Sequence, residues 1–188
     1  GGKNASLSKL YAVMTVRTDC TLKVPNGFAL TTHAYRQSVD DKVQDELRCA
    51  LEGLDEHEGF PLANLPVVSK KCREIVYNAS RPGLSEKNDA VWDAVITAYH
   101  DLSSEYECFP PNCLSVAVRS SASAEDLPHA SFAGQMESFL NVSTDVGVIE
   151  ACRHCMASVY TSRAIAYRRE NRFDDCAVKL SVGVMPMI

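Results

Sequence analysis

Residues Ser115 to Val142 read SVAVRSSASAEDLPHASFAGQMESFLNV, and the fold turns on this stretch. An apolar run, Leu114, Val116 and Val118, stops at a cation, Arg119. Small, flexible residues follow from Ser120 to Ala124, then an acidic pair, Glu125 and Asp126. Phe132-Ala133-Gly134 leads back into a second apolar run, Phe139 to Val142. Strand, cation, mobile loop, glycine and strand make an arrangement suited to holding a polyanion. A guanidinium at the end of an apolar strand is costly to desolvate unless an anion meets it. Its planar fork matches phosphate oxygens bidentately, so the pattern points to a nucleotide. The competing reading of Arg119 is an ion pair with Glu125 or Asp126. Those two acids could instead coordinate magnesium, although an exposed loop acid is more often just solvated.

Outward from this core, the chain reads as helices around a few strands. Gly1 to about Met14 carries a helical pattern, with Leu7, Leu10, Tyr11 and Met14 spaced by three and four. Val24-Pro25-Asn26-Gly27-Phe28 is a turn feeding a strand over Phe28 to Leu30. Thr31 or Thr32 can cap the helix that follows. Asp45 to Tyr106 predicts helices broken at Gly59-Phe60-Pro61 and Arg81-Pro82-Gly83, with Trp92, Val95, Ile96, Tyr99 and Leu102 as a core-facing stripe. Ser143, Thr144 or Asp145 can cap a helical region with the stripe Ile149, Cys152, Met156, Val159 and Tyr160. Thr161-Ser162 can restart a second helix reaching about Asn171. Val178, Leu180, Val182 and Val184 alternate with Lys179, Ser181 and Gly183, which is strand periodicity.

Composition bounds the function. The 188 residues are 46% hydrophobic and 23% charged, an ordinary globular balance that supports a real core. A net charge of -5 argues against a broad nucleic-acid face, while leaving room for a local basic pocket. No apolar stretch approaches the roughly 20 residues of a membrane span. The eight cysteines lack the spacing of a disulfide framework, and Cys152-Arg153-His154-Cys155 is a single C-x-x-C where structural zinc usually draws two tight pairs. They read as mostly buried, reduced thiols of an intracellular protein.

Gly1-Gly2-Lys3-Asn4-Ala5-Ser6 precedes a helix, and backbone amides there plus one lysine make a plausible phosphate grip. It is not the P-loop pattern, and a surface lysine on a flexible terminus is an equal reading. Ser120, Ser121 and Ser123 sit in no nucleophile elbow. His33, His57, His100, His129 and His154 are scattered and read as surface or packed histidines.

These blocks, with Ala164-Ile165-Ala166-Tyr167-Arg168, resemble in order the N-terminal nucleotide-binding domain of the phosphoenolpyruvate synthase family, related to pyruvate phosphate dikinase and rifampicin phosphotransferase. The resemblance runs from Gly1 to Ile188 and is weakest over residues 40–110. It implies an α+β fold: the first lobe of an ATP-grasp nucleotide-binding domain, a mixed sheet flanked by helices, ending at the hinge strand. It implies that Lys3 and Arg119 contact ATP phosphates, that Gly134 closes over them, and that Ser138 stands where the family usually has threonine. The family's adenine-facing hinge corresponds to Val182–Ile188. There Met185 replaces a glutamine and Pro186 a basic residue, leaving backbone groups of Met185 and Met187 to read the base.

The resemblance further implies ATP and Mg²⁺ as ligands and a cytoplasmic parent enzyme. That parent moves the β-phosphoryl of ATP through a histidine onto pyruvate, releasing AMP and phosphate. The second lobe, the phosphohistidine domain and the pyruvate-binding domain lie outside residues 1–188, so this stretch alone is expected to be inactive. Neither nucleic acid nor membrane is an expected partner, and a homodimer of the full-length parent is left open. The alternatives are the ATP lobe of a rifampicin- or glucan-type dikinase, or a regulatory protein with a decayed nucleotide site.

Overall fold

The computed structural model describes residues 2–16, 24–54, 64–106, 113–122, 136–174 and 178–187. The Gly59-Phe60-Pro61 break, the Glu125-Asp126 pair and Gly134 lie outside these residues. No described helix is long and apolar enough to cross a membrane.

Seven α-helices and four strands are described, with a short 3-10 helix at Ser158–Tyr160: α1 (Gly2–Val16), β1 (Phe28–Leu30), α2 (Thr32–Ser38), α3 (Asp41–Glu52), α4 (Leu65–Ala79), α5 (Glu86–Glu105), β2 (Val116–Ala122), β3 (Ser138–Val142), α6 (Asp145–Ala157), α7 (Ser162–Glu170) and β4 (Leu180–Pro186). Short polar side chains fix most helix starts by accepting an otherwise orphaned backbone N–H. Thr31 caps α2 through Ala34, Asp40 caps α3 through Val43, and Ser85 caps α5 through Asn88. Thr144 caps α6 through Gly147, and Thr161 caps α7 through Ala164. The Asp40 cap explains why α3 begins four residues before the expected Asp45. The break at Arg81-Pro82-Gly83 is real: Gly83 sits at φ +75°, and its N–H donates to Asp89 Oδ1 at 2.7 Å.

The strands form one sheet in the order β1-β4-β2-β3. All three pairings are antiparallel, so the sheet is not the mixed one expected. The chain reverses between β2 and β3, and α6 and α7 then carry it back so that β4 enters between β1 and β2, opposed to both. Two local expectations change with it. Ser120, Ser121 and Ala122 are not loop but the end of β2, paired with Val182, Ser181 and Leu180. β4 is buried almost throughout rather than on alternate residues, as a central strand flanked by β1 and β2.

One sheet face carries the core. Leu30, Val116, Val118, Val182 and Val184 pack there with Val148, Cys152, Cys155 and Met156 of α6. Trp92, Val95, Tyr99 and Leu102 of α5 are buried as the stripe predicts, and Ile96 is half-buried. Cys152 and Cys155 are buried thiols whose ionisation burial opposes, pushing Cys152 up to about 12 and raising Cys155 as well. They pack as small hydrophobes.

Tyr99 ties the core to both ends of the β2–β3 unit. Its hydroxyl donates to the Leu114 carbonyl at 2.9 Å and accepts the Thr144 N–H at 3.2 Å, with its side chain fully buried. Tyr99→Phe keeps the ring and orphans both backbone groups, so it should cost about 1–3 kcal/mol in urea unfolding. An unchanged unfolding midpoint would remove Tyr99 from this role.

Candidate nucleotide-binding face

The sheet face opposite the core carries small and polar residues. Residues paired across antiparallel strands project to the same side, so the register sets Ala29, Gly183, Arg119 and Ser138 in one row across all four strands. Ala29, Arg119 and Ser138 are exposed, and glycine at 183 leaves the middle of the row without a side chain. Among the described residues, the Arg119 guanidinium has no hydrogen-bond or ion-pair partner. Ser121, two residues along β2 on the same face, is buried, and its hydroxyl also lacks a described partner. An uncompensated cation, two hydroxyls and a bare stretch of backbone make an anion seat.

Beside this row lies a cleft of about 240 Å³. Leu7, Ser8 and Tyr11 of α1 form one wall, residues 24–27 another, and Met185 and Gly183 of β4 the floor. α1 packs against β2, and its Leu7, Ser8 and Tyr11 face the same cleft as Gly183 and Met185. Lys3 falls in the first turn of α1. The cleft is therefore mostly apolar, with its cationic row alongside, a shape that fits a molecule with a flat apolar end and an anionic tail.

Two fixings hold the 24–27 wall. Asn26 Nδ2 donates to both carboxylate oxygens of Glu105, at 3.0 and 2.8 Å, while its Oδ1 accepts the Gly27 N–H at 2.9 Å. Gly27 lies so close to β4 that a Cβ there would stand 2.6 Å from the Val184 carbonyl oxygen. The return from the loop is fixed too. The Glu137 carbonyl accepts from Ser120 Oγ at 3.1 Å and Cys155 Sγ at 3.8 Å, and its carboxylate meets Arg73 Nη2 at 3.1 Å. Ser138 is thus delivered to its place opposite Arg119 by a pinned neighbour.

Of the residues singled out in the sequence, Arg119, Ser138 and Met185 come to this one face. Met187 donates its N–H to the Ser115 carbonyl at 2.8 Å. Sequence reading missed Gly27, Asn26 and Gly183. The turn signal Pro25-Asn26-Gly27 marks a bend, but its seating on β4 depends on a strand more than 150 residues away.

A second polar cluster belongs to the packing instead. Arg153, buried on α6, pairs with Glu150 at 2.5 Å, donates to the Tyr77 carbonyl at 2.8 Å and stacks 3.8 Å above the Tyr77 ring. Burial alone would push the Glu150 carboxyl up, but the Tyr77 hydroxyl and Arg153 hold it below its ordinary value. This cluster staples α4 to α6 with its charges matched internally. Among the described residues, no three His, Cys, Asp or Glu side chains converge on a possible metal position.

The family model for the pyruvate phosphate dikinase AMP/ATP-binding domain matches residues 1–188, and the chain belongs to that family. Over its whole length it is similar to phosphoenolpyruvate synthases: 39% identical to that of Synechocystis sp. and 37% to that of Helicobacter pylori. It is also 36% identical to a probable phosphoenolpyruvate synthase of Methanocaldococcus jannaschii. The chain covers 22%, 21% and 14% of these relatives, so it corresponds to a small part of each.

Two glycines test the cleft wall. Gly27→Ala should cost about 1–3 kcal/mol, because the clash is with backbone that cannot rotate away. Gly53→Ala, at φ −64° with nothing within 4 Å of the new Cβ, should be neutral or stabilise by up to about 1 kcal/mol. Chemical denaturation of both variants decides this, and equal midpoints would contradict the close seating of Gly27.

Proposed function

We propose that the outer sheet face binds ATP, and that the chain serves as the first lobe of an ATP-grasp domain in a phosphoenolpyruvate synthase-like dikinase. The observation that carries the reading is Arg119. It is an exposed guanidinium with no described partner, set between Gly183 and Ser138 on the face next to the cleft. The base would lie against Met185 and the α1 wall, with the phosphates running over Gly183 toward Arg119. Lys3, in the first turn of α1, would also contact the phosphates. Ser138 would donate its hydroxyl to a phosphate oxygen, and Gly134 would come down over the phosphates with its loop. The Met185 side chain and the carbonyl of Met187 would face the nucleobase end; the Met185 backbone expected there is committed instead to Ala117 by the β2–β4 ladder.

In this reading Arg119 and Lys3 neutralise charge on the phosphoryl groups, where preorganised cations lower the cost of charge redistribution. The loop following β2 would exclude water from the phosphates. Mg²⁺ would arrive with the nucleotide, held by phosphate oxygens, since the described residues build no cation site of their own. The complete protein would convert ATP, pyruvate and water to AMP, phosphoenolpyruvate and phosphate. A second lobe, a phosphohistidine domain and a pyruvate-binding domain beyond this stretch would supply the remaining groups. The same reading places the protein in the cytoplasm and is compatible with a homodimer.

Calorimetry with Mg-ATP on the full-length protein tests the phosphate grip. Arg119→Ala should weaken binding by about ten- to a hundredfold, the value of a charge-assisted hydrogen-bond pair, with unchanged circular dichroism. Arg119→Lys should recover part of the loss, because it restores the charge but not the planar fork. If Arg119→Ala and Lys3→Ala both bind as tightly as the parent, the phosphate assignment is wrong.

A further inference from the structure

We propose, on the basis of the nucleotide reading above, that Ser121 is a further binding residue of this face. Its hydroxyl donates to the terminal phosphate of the nucleotide and so sets a preference for ATP over AMP. Ser121 is 1% exposed, and its hydroxyl has no hydrogen-bond partner among the described residues. A hydroxyl taken out of water without a replacement bond destabilises the protein that carries it. Buried polar side chains are nearly always paired, so one that is not calls for a reason outside the fold. An alanine would fill the same strand position at no such cost. The neighbour on the chain makes the contrast: Ser120, turned to the other face of β2, donates to the Glu137 carbonyl at 3.1 Å.

The register fixes which part of a nucleotide would lie over Ser121. Three pairs of the β2–β4 ladder face outward in succession: Ala117 with Met185, Arg119 with Gly183, and Ser121 with Ser181. Alternate residues of an antiparallel strand are about 7 Å apart, so these rows form a scale along the sheet. Met185 lies in the floor of the cleft, at the base end. Arg119 is one row on, where the ribose would end and the inner phosphates would pass. Ser121 is one row further in the same direction. That second step is longer than a single P–O–P link, so the group over Ser121 is not the phosphate attached to the ribose. A serine side chain is also too short to reach back into the Arg119 row. AMP, whose one phosphate follows the ribose directly, would end at Arg119, whereas ATP would run on to Ser121.

The chemistry of this row suits a phosphoryl oxygen. A serine hydroxyl facing an anion acts as a donor, and it brings no charge of its own into the sheet. It can therefore stay buried where an unpaired lysine could not. A hydrogen bond to a charged oxygen is among the stronger ones, and more so out of water. Gly183 leaves the way from one row to the next without a side chain, and Ser181 across the ladder is small as well. A phosphate tail following the strands thus meets a hydroxyl at its end and no bulky group before it.

Calorimetry with Mg-ATP and with AMP on the full-length protein and its Ser121→Ala variant tests this, together with the thermal midpoint of each without nucleotide. Ser121→Ala should weaken Mg-ATP binding about tenfold, the low end for a hydrogen bond to a charged group, and leave AMP binding within about twofold. Without nucleotide its midpoint should equal or exceed that of the parent, since the substitution removes a buried donor that lacks a partner. A lower midpoint would mean that the hydroxyl serves the fold, and would overturn the proposal. So would a Mg-ATP affinity that the substitution leaves unchanged, or Mg-ATP and AMP affinities reduced by equal factors. Each of these leaves the nucleotide reading standing. A parent protein that binds neither nucleotide would overturn the nucleotide reading, and this proposal with it.

Discussion

The antiparallel ladder between β2 and β4 is the constraint on which the rest of the molecule depends. Seven consecutive pairs, from Val116 with Pro186 to Ala122 with Leu180, fix two segments that are far apart in the chain. A slip of one residue would turn every side chain to the other face. Val116, Val118, Val182 and Val184 would leave the core, and Arg119 would enter it. The burial of those valines therefore holds Arg119 outward, beside a glycine, where a ligand can reach it. Stability of the core and presentation of the cation are one and the same choice of register.

Arg119 stands apart from the buried arginines of this chain. Arg153 is matched by Glu150, the Tyr77 carbonyl and the Tyr77 ring. Arg168, also fully buried, donates to the Val159 carbonyl at 2.6 Å and lies over the Tyr160 ring. Those cations are internal fastenings, and their desolvation is offset by hydrogen bonds and aromatic faces. Arg119 has no comparable compensation among the described residues and stays in solvent. In a chain of net charge -5, a local cation of this kind is what an anionic ligand would seek.

Much of this architecture was legible in the sequence, because it rests on local rules. Thr31, Thr144 and Thr161 announce helix starts through capping, and the 138–142 and 28–30 strands stand out by composition and flanking turns. Arg119 was legible because a cation ending an apolar strand is a costly pattern. The strand order was not, since pairing β4 between β1 and β2 depends on long-range burial. For the same reason Ser120 and Ser121 read as loop: small polar residues become strand only when a partner such as β4 supplies their hydrogen bonds. The close seating of Gly27 on Val184 was hidden likewise, because a sequence gives the turn but not what the turn rests against.

The central claim is that the outer face of β2 and β4 holds the nucleotide, and methionine methyl NMR reads it directly. Met185 lines the cleft, while Met156 is buried on the core side of the sheet. On adding Mg-ATP to the ¹³C-methyl-Met protein, the Met185 methyl should shift and give intermolecular NOEs to the base protons, with Met156 essentially unmoved. Saturating ATP binding that leaves the Met185 methyl unshifted and without base NOEs would contradict the account.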